Sequence, residues 1–374
     1  MKVALVHYWL LSWRGGEKVV ESISKMFPDL DIYTLFLDPE IQDAYFPDRE
    51  IYSSSLDTPF FRKHYQKSFP LYPRAIRSLH LKKKYDLIIS NESGPAKGIE
   101  KPEDTPHLCY VQTPMRYCWG FTQEYLNVLP GVVRPFARFA FERLRRWDET
   151  TVSNVDHYLA NSQNVQRRVE KYYKRESNVV YPPVSLDLFE RPLVKGPLKE
   201  AESYLSFGAI TPYKRVDLLV DAFNQNGKNL LIIGEGSERR RLMEKARENI
   251  RFTGPLPYSD IERHIRNSKA LIFPGEEDFG LIPLEVMALG LPVIAYRAGG
   301  ALETVVEKES SLSESTGLFF DHQTVESLND RIEEFERMAP EFSSSWIRNH
   351  ARSFGEDHFQ EAFRKELVHV GVSL

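Results

Sequence analysis

Two glutamates, Glu277 and Glu285, flank a segment whose residue types predict an anion-binding loop. Glu277 precedes a glycine-bearing turn at 279–281, and Glu285 falls inside a predicted helix. The free N–H groups and the positive dipole end of a helix N-terminus attract a diphosphate or another anion. Carboxylates fit beside such an anion when they accept hydrogen bonds from sugar or ribose hydroxyls. The segment therefore suggests a nucleotide sugar as ligand; the alternative, which the spacing of the glutamates alone favours, is a pair of solvated residues at a helix start.

A predicted strand, helix and strand position these glutamates. The apolar runs 270–274 and 293–296 predict strands, and 283–289 predicts a short helix between them. Gly290 can adopt the positive φ of a helix C-terminus, and Pro292 prevents continuation. The loop is thus carried by one βαβ unit.

Length and composition predict two globular domains. The chain has 374 residues, 42% of them hydrophobic, and a net charge of −4. No apolar run approaches the roughly 20 residues of a membrane span. The apolar start of the chain leads into a Gly-Gly turn, so we expect a first strand rather than a signal peptide. Cys109 and Cys118 are too few for a disulfide framework or zinc site, and the cytosol is the expected compartment.

Strands alternate with helices through both halves, which predicts two Rossmann-like α/β domains with parallel sheets. In the first half, a strand at 2–9 leads to Gly15 and Gly16, a pair that predicts a phosphate-approaching loop or a tight turn. In the second half, Ser259 with Glu262 three residues on predicts a capping box. The extended segment 178–184 predicts the entry to the second domain.

Two basic segments interleave Arg and Lys with aromatic residues. Residues 58–85 contain eight Lys and Arg and no acidic residue, and 134–147 predicts a helix with a basic and an aromatic side. This composition suits an anionic lipid surface or acceptor, and also nucleic acid. The alternative is a core helix with a solvated face.

The segment EEDFGLIPLEVMALGLPVIAYRAGGALETV resembles the signature of glycosyltransferase family 4, retaining enzymes of the GT-B fold. HYWLLSWRGGEKVVE, CYVQTPMRY, LANSQNVQRRVEKYY, VVYPPVSLDLF and PYKRVDLLVDAF resemble its bacterial O-antigen and polysaccharide mannosyltransferase branch. The resemblance covers roughly residues 1–365. It implies an N-terminal Rossmann-like domain at 1–183 on the acceptor and membrane side and a donor domain at 184–355. The two would face each other across a cleft, with a C-terminal helix at 356–374 crossing back to the first domain.

The resemblance also implies roles for individual residues. Glu277, Lys214 and Gln112 would be catalytic, with Glu277 holding a donor-sugar hydroxyl and Lys214 the diphosphate. Glu285 would hold the ribose, and Arg116 and Tyr117 would lie near the acceptor or sugar. The remaining expected donor-binding residues are Gly15, Gly16, Arg215, Gly236, Phe279, Gly280, Leu281 and Ile282. No metal ligands are expected.

Two positions depart from the family pattern. Ala209 stands where an arginine is usual, which removes a bidentate phosphate contact that Arg215 would have to replace. Gln112 stands where the related mannosyltransferases have a histidine. Glutamine can hydrogen-bond a hydroxyl but cannot take up a proton near neutral pH.

These expectations favour a metal-independent hexosyltransferase that transfers mannose from GDP-mannose to a lipid-linked or polysaccharide glycan acceptor. It would work without a cofactor at the inner face of the cytoplasmic membrane, bound to its anionic surface, with no nucleic-acid partner. The alternatives are a non-catalytic nucleotide-sugar-binding relative, a transferase that uses a UDP-sugar, and another GT-B enzyme such as a nucleotide-sugar epimerase.

Overall fold

Apolar strands alternate with helices along the chain, a pattern that builds parallel sheets covered on both faces. The computed structural model describes residues 1–127, 129–193, 201, 203–308 and 310–372. It divides into one unit made of residues 1–183 with the residues from Glu356 onward, and a second unit, Val184–Gly355. The first unit thus contains the C-terminal helix.

The sheet of the first unit is parallel throughout, with strand order β3-β2-β1-β4-β5-β6-β7. Its strands in the described residues are β1 Val3–His7, β2 Leu30–Thr34, β3 Ile51–Ser53, β4 Leu87–Glu92, β5 His107–Val111, β6 His157–Ala160 and β7 Asn178–Val179. Its helices there are α1 Gly15–Met26, α2 Pro39–Tyr45, α3 Pro59–Lys63, α4 Tyr72–Arg77, α5 Thr122–Asn127, α6 Arg134–Thr150, α7 Gln163–Tyr173 and, after the second unit, α16 Glu356–Glu366.

Alternate strand residues supply two cores, one on each face of this sheet. Ala4 and Val6 of β1 lie in one core, and Val3 and Leu5 lie in the other. The second core also includes Phe359, Phe363 and Leu367 from α16 and the turn after it. The C-terminal helix is therefore part of the apolar packing of the first unit.

The sheet of the second unit is also parallel, with order β10-β9-β8-β11-β12-β13. Its described strands are β8 Ser203–Phe207, β9 Leu230–Ile233, β10 Ile250–Gly254, β11 Ser268–Phe273, β12 Val293–Tyr296 and β13 Gly317–Phe320. Its described helices are α8 Asp187–Glu190, α9 Val216–Asn226, α10 Arg239–Lys245, α11 Tyr258–Arg266, α12 Leu281–Ala288, α13 Ala301–Thr304, α14 Val325–Met338 and α15 Ser344–Arg352.

Each sheet reverses its strand order once, and a doubly wound sheet binds ligands beyond the carboxyl ends of the strands at that switch point. The switch lies between β1 and β4 in the first unit and between β8 and β11 in the second. A ligand-binding site is therefore expected in the loops that follow these four strands.

Several predicted boundaries need correction. The helix expected at 283–289 begins at Leu281, because Pro283 is accommodated in its first turn, where no N–H partner is lost. Gly15 and Gly16 form the first turn of α1 instead of a turn before it. The capping box at Ser259 is wrong: Pro257 precedes α11, and Glu262 pairs with Arg266 at 2.6 Å.

Candidate functional site

An ion pair joins the two strands at the switch point of the second sheet. Lys214 ends the 3-10 turn Pro212–Lys214 that follows β8, and Glu277 lies in the loop after β11. The Lys214 ammonium contacts Oε1 of Glu277, and the two side chains are only 19% and 13% exposed. Lys214 is thus not a free surface charge, and the sequence-distant residues predicted to be catalytic in this unit lie together.

Glycines let the neighbouring loops approach backbone to backbone. Gly234, at φ 144°, could not carry a side chain because its Cβ would lie 1.9 Å from the carbonyl oxygen of Gly208. The Cβ of an alanine at Gly236 would lie 2.1 Å from the Ile210 oxygen. The amide of Ile210 donates to the Glu235 carbonyl at 2.8 Å. Two strand-end loops are therefore fixed against each other.

These loops border an open pocket beside the ion pair. The residues of the lining that bear on ligand binding are Ser206, Gly208, Ala209, Ile210, Lys214 and Gly275. Ala209 is exposed, so the family arginine missing at this position would have pointed to solvent or ligand. The cavity places backbone and one ammonium next to each other, which suits an anion.

The loop that carries Glu277 is packed against a second glycine pair. The amide of Gly300 donates to the Glu277 carbonyl at 2.9 Å. A Cβ on Gly299 would lie 2.3 Å from that carbonyl oxygen, and one on Gly300 would lie 2.3 Å from Cα of Phe279. The contacts that hold residues 277–279 thus require glycine at positions 299 and 300, because a side chain at either position would clash with the loop.

Helix α12 begins directly after this loop. Gly280, at φ 89°, is its N-cap, so Leu281 and Ile282 fall in the first turn, where backbone N–H groups have no intrahelical acceptor. Glu285 lies one turn further in and is 7% exposed. The pKa of Tyr258 is raised, first by burial and then by the charge of Glu285. The alternative of two solvated glutamates is therefore wrong.

Arg215 has a backbone and side-chain environment that the sequence did not predict. Its φ is 55°, in the left-handed region, and its Nη1 donates to Oε1 of Gln323 at 2.9 Å. Its Nε lies 3.2 Å from Asp217. Gln323 in turn donates to the carbonyl of Pro274, at the end of β11, at 2.8 Å. To replace the missing arginine at Ala209, the guanidinium would have to exchange Gln323 for a phosphate.

In the first unit, polar side chains at the ends of the central strands form one hydrogen-bonded network. Asn91 Nδ2 lies 3.2 Å from Nδ1 of His7 and donates to the Gly16 carbonyl at 2.9 Å. His7, fully buried at the end of β1, lies 3.5 Å from Glu17 in the first turn of α1. This network crosses the switch point of the first sheet and fixes the Gly15–Gly16 start of the helix.

Gln112 occupies the centre of this network. Its Nε2 donates to Oδ1 of Asn91 at 2.9 Å, and its Oε1 accepts from Nδ2 of Asn161 at 3.3 Å. Asn161 also donates to the Gln112 backbone carbonyl at 3.0 Å. Both ends of the Gln112 amide are therefore used inside the protein, whereas a histidine there would offer a titratable nitrogen.

A buried charged cluster lies next to the network. Lys97, Glu92 and Asp148 are fully buried; the Lys97 ammonium contacts Asp148 and lies 3.9 Å from Glu92. Trp119 donates to the other Asp148 oxygen at 2.7 Å. Burial raises the pKa of Glu92 to about 7, and the Asp148 charge adds to this against the opposing effect of Lys97. This cluster was not predicted from the sequence.

Some of the residues that were not predicted carried a usable signal. His7, Glu92 and Asn161 each stand at or just after the last residue of an apolar strand, and so does Gln112, which the resemblance had identified. Polar residues at consecutive strand ends meet at one edge of a parallel sheet. Lys97 and Asp148 gave no such signal, because a charged residue in the sequence is usually solvated.

Arg116 and Tyr117 differ in character although they are adjacent. Arg116 stacks its guanidinium over Phe121, with 5.5 Å from Cζ to the ring centroid. Tyr117 packs against Phe69 and Phe141 and donates its hydroxyl to the Met115 sulfur at 3.3 Å. Burial raises the pKa of Tyr117. Arg116 brings a charged group to a half-buried position, whereas Tyr117 is mainly a packing residue.

The two basic segments meet in the first unit. Phe69 from the first packs on Phe141 of α6, with ring centroids 5.1 Å apart. The expected aromatic side of α6 is only partly correct, since Phe141 and Trp147 are buried while Phe136 and Phe139 are 77% and 69% exposed. The exposed phenylalanines share the surface with Arg138 and Arg143. None of the described helices is long and apolar enough to cross a bilayer.

Solved structures share this architecture. The Anabaena Alr3699/HepE protein in complex with UDP-glucose superimposes with a TM-score of 0.71 at 16% identity, over 98% of this chain and all of that one. At this identity the similarity shows the fold alone, which is GT-B.

Curated relatives are similar over part of their length. The alpha-1,3/1,6-mannosyltransferase ALG2 of Saccharomyces cerevisiae is 28% identical over 56% of this chain and 51% of its own. A GDP-mannose-dependent monoacylated alpha-(1-6)-phosphatidylinositol monomannoside mannosyltransferase of Corynebacterium glutamicum is 31% identical over 33% of this chain and 35% of its own. The chain spans about half the length of the first curated relatives it matches.

Two family models match consecutive parts of the chain. The model described as Glycosyltransferase Family 4 matches residues 13–188, and the one described as Glycosyl transferases group 1 matches residues 194–353. The two matches follow the two structural units closely. With the resemblance of its motifs and the GT-B architecture, they show that the chain belongs to glycosyltransferase family 4.

Proposed function

We propose that this protein is a retaining, metal-independent hexosyltransferase that moves mannose from GDP-mannose to a lipid-linked or polysaccharide glycan. The observation that carries the proposal is the Lys214–Glu277 ion pair at the switch point of the second sheet. A cation and a carboxylate held together beside a helix N-terminus match a ligand with both a diphosphate and hydroxyl groups.

The roles of these groups follow from their chemistry. In the free protein Lys214 and Glu277 neutralise each other; with donor bound, Lys214 turns to the diphosphate and Glu277 accepts a hydrogen bond from a sugar hydroxyl. The N–H groups of Phe279, Gly280, Leu281 and Ile282 border the same anion, and Glu285 accepts from the ribose hydroxyls. Because Gly236 has no side chain, the base and the phosphates can lie directly against the backbone at this position.

Transfer breaks the bond between the anomeric carbon of the sugar and the diphosphate oxygen and forms a bond from that carbon to an acceptor hydroxyl oxygen, whose proton passes to the departing diphosphate. Negative charge develops on the departing diphosphate, so fixed cations and N–H dipoles lower the barrier. Lys214 supplies the cation. Arg215 joins it if its guanidinium leaves Gln323.

The relatives favour mannose as the donor sugar. ALG2 proteins are named as mannosyltransferases, and the corynebacterial relative is named as GDP-mannose-dependent. A UDP-sugar is the second candidate, because the Anabaena structural neighbour binds UDP-glucose.

Gln112 and Arg116 of the first unit are assigned to the sugar and the acceptor. Because Gln112 is an amide and not a histidine, we expect it to lower the rate of transfer without abolishing it.

A transfer assay tests this proposal. The purified chain is incubated with GDP-mannose, UDP-glucose or UDP-galactose and a lipid-linked acceptor extract, with EDTA throughout. We expect acceptor-dependent release of GDP from GDP-mannose, and retention of the anomeric configuration by NMR. Release of UDP only would reassign the donor. Tight donor binding with no turnover for any donor would favour the non-catalytic relative, and epimerisation of a free UDP-sugar would favour an epimerase.

We further propose that the chain works at the inner face of the cytoplasmic membrane, where the combined basic surface of 58–85 and α6 binds anionic lipid. Phe136 and Phe139 would insert while neighbouring arginines pair with phosphates. Binding to vesicles containing phosphatidylglycerol should fall as salt rises, and Phe136→Ser with Phe139→Ser should abolish it. Val368→Ser, which removes a side chain 68% exposed elsewhere on the same unit, is the matched control. Salt-insensitive or absent binding would contradict the proposal.

A further inference from the structure

Two histidines and a glutamate of the first unit lie close together, apart from the residues proposed for sugar transfer. Nε2 of His157 lies 2.9 Å from Oε2 of Glu366, and Nε2 of His369 lies 3.7 Å from the same oxygen. Candidate ligand atoms of the three residues all lie within 4.8 Å of one another. The two imidazole rings are stacked with centroids 4.8 Å apart and an interplanar angle of 26°.

Well-packed elements hold this cluster. His157 is the first residue of β6, and Glu366 is the last residue of α16. His369 follows in the 3-10 turn Leu367–Val370, so Glu366 and His369 have the i, i+3 spacing that puts both on one side of a helix. Phe363 and Leu367, on either side of Glu366, are fully buried in the core. The ligand-bearing backbone is therefore rigid at both ends.

We propose that His157, Glu366 and His369 form a structural binding site for a divalent transition-metal ion, with Zn²⁺ as the expected occupant. Imidazole nitrogens and a carboxylate are standard zinc ligands at about 2.0–2.2 Å, so tetrahedral ligand atoms lie about 3.3 Å apart. The separations of 2.9 and 3.7 Å around Glu366 bracket that value. The ion would replace the hydrogen bond between His157 and Glu366, side-chain rotation would close ligand atoms that now lie within 4.8 Å of one another, and water would complete the tetrahedron.

The surroundings of Glu366 support this assignment. Nδ2 of Asn178 donates to Oε2 of Glu366 at 2.7 Å, which orients the carboxylate as an outer hydrogen bond does at metal sites. His157 and Glu366 are 18% and 16% exposed, while His369 is 56% exposed. The site is thus formed on two sides by fixed groups and open on the third, where an ion can enter.

The position of the site indicates a role in stability rather than transfer. His157 begins β6, whereas Asn161 and the Gln112 network lie beyond the opposite, carboxyl ends of the strands. Because His157 belongs to the sheet and the other two ligands follow the C-terminal helix, an ion would tie that helix to the sheet. Zinc here is compatible with metal-independent transfer.

Metal titration of the full chain, prepared without a histidine tag, tests the proposal. After chelator treatment and dialysis, ZnCl₂ is titrated by calorimetry, and metal content is measured after gel filtration. We expect a single equivalent of Zn²⁺ per chain and a thermal midpoint a few degrees above that of the metal-free chain. CoCl₂ should give the visible absorption bands of a tetrahedral site.

Variants and a spectroscopic measurement make the test specific. His157→Gln and His369→Gln should each lower zinc affinity at least tenfold, while His358→Gln, which removes an exposed histidine of the same helix, should not. If the variants fold poorly, X-ray absorption of the zinc-loaded wild type replaces them and should show two imidazole ligands. Absence of stoichiometric zinc, unchanged zinc affinity in both His157→Gln and His369→Gln, or zinc without imidazole ligands would overturn the proposal.

Discussion

The two units have the same parallel topology around their switch points but differ in the chemistry at the strand ends. In the second unit, the strands on either side of the switch are joined by the Lys214–Glu277 ion pair, which is partly exposed. In the first unit, His7 and Asn91 occupy the corresponding strand ends, and Asn91 is hydrogen-bonded to both His7 and Gln112. Next to this network, the charged groups Glu92, Lys97 and Asp148 of the first unit are fully buried.

The shared topology determines where a ligand site can lie in each unit, and the side chains at the strand ends determine what that site can bind. A partly exposed ion pair can exchange partners with an incoming anion at modest cost. The side-chain amides of Asn91, Gln112 and Asn161 carry no charge, so they serve better to orient a hydroxyl or to hold a helix start. The proposed donor site therefore belongs to the second unit.

The largest expected effect comes from the glycine contacts that fix the Glu277 loop. Gly300 has φ −68°, which any residue tolerates, so Gly300→Ala tests only the clash with Phe279. We expect a loss of about 3–5 kcal/mol of unfolding free energy, measured by denaturant titration, together with loss of nucleotide binding.

Gly227→Ala is the matched control for this variant. Gly227 has φ 71°, but a Cβ added there would meet no atom within 4 Å, so alanine should cost only about 1–2 kcal/mol and leave nucleotide binding intact. Equal effects of the two variants would show that the close packing of the Glu277 loop is not what Gly300 provides.

Removing the proposed catalytic cation should be nearly as severe. Lys214→Met should lower kcat/KM for transfer about 100- to 1,000-fold, since one fixed charge at a developing anion is lost. Lys269→Met is the control, because Lys269 pairs with Glu336 in the same unit at 22% exposure and lies outside the proposed site. Similar rates for the two variants would refute a catalytic role for Lys214.

The buried charges of the first unit should affect the free energy of unfolding and its pH dependence, and not nucleotide binding. Because burial raises the pKa of Glu92 from 4.5 to about 7, the folded chain holds a proton there that the unfolded chain has released. The contribution of Glu92 to stability is therefore full below pH 4.5 and is lost as pH rises through 7, by at most roughly 3 kcal/mol.

Comparison with Glu92→Gln isolates this effect. The free energy of unfolding of the wild type should fall relative to that of the variant as pH rises through this window, measured by denaturant titration at a series of pH values. His107, whose pKa burial lowers to about 4, has the opposite pH dependence but is present in both proteins and cancels. Parallel stability curves would contradict the assignment.

The smallest effect is expected at Gln112. Gln112→Ala leaves Oδ1 of Asn91 and Nδ2 of Asn161 short of one partner each and should cost about 1–2 kcal/mol of stability. Gln112→His restores the residue of the related mannosyltransferases and should raise sugar transfer or donor hydrolysis in a transfer assay. A lower rate in the histidine variant would show that the amide network is itself required.

The fold was predictable because its signals are local and repeated. The strand Val293–Tyr296, the helix start at Val216 with Gly227 at its end, and the positive φ of Gly290 all agree with the sequence patterns. The predicted helix boundaries were wrong where a residue type is common at more than one position near a helix start. Pro283 was taken to start a helix that it only joins, and Ser259 resembled a cap although Pro257 precedes the helix.

The candidate site was predictable only in part. Motif resemblance identified Lys214 and Glu277 but not their mutual contact, which depends on two loops 63 positions apart meeting at the switch point. Arg215 was expected to be available for phosphate, yet its contact with Gln323 depends on a residue more than a hundred positions away. The His157, Glu366 and His369 cluster likewise joins a strand to a distant helix, and single-sequence patterns do not encode such proximity.

Thermal unfolding in the presence of nucleotides, without metal and in EDTA, tests whether the second unit binds a nucleotide-sugar donor. GDP, UDP, ADP and their sugar conjugates are compared for the wild type and Lys214→Met. A ligand at about 100 times its dissociation constant stabilises the folded state by about 2.7 kcal/mol. We expect GDP and GDP-mannose to raise the wild-type midpoint and to have little effect on the variant. If no nucleotide raises the wild-type midpoint, the second unit does not hold a nucleotide-sugar donor and the account is wrong.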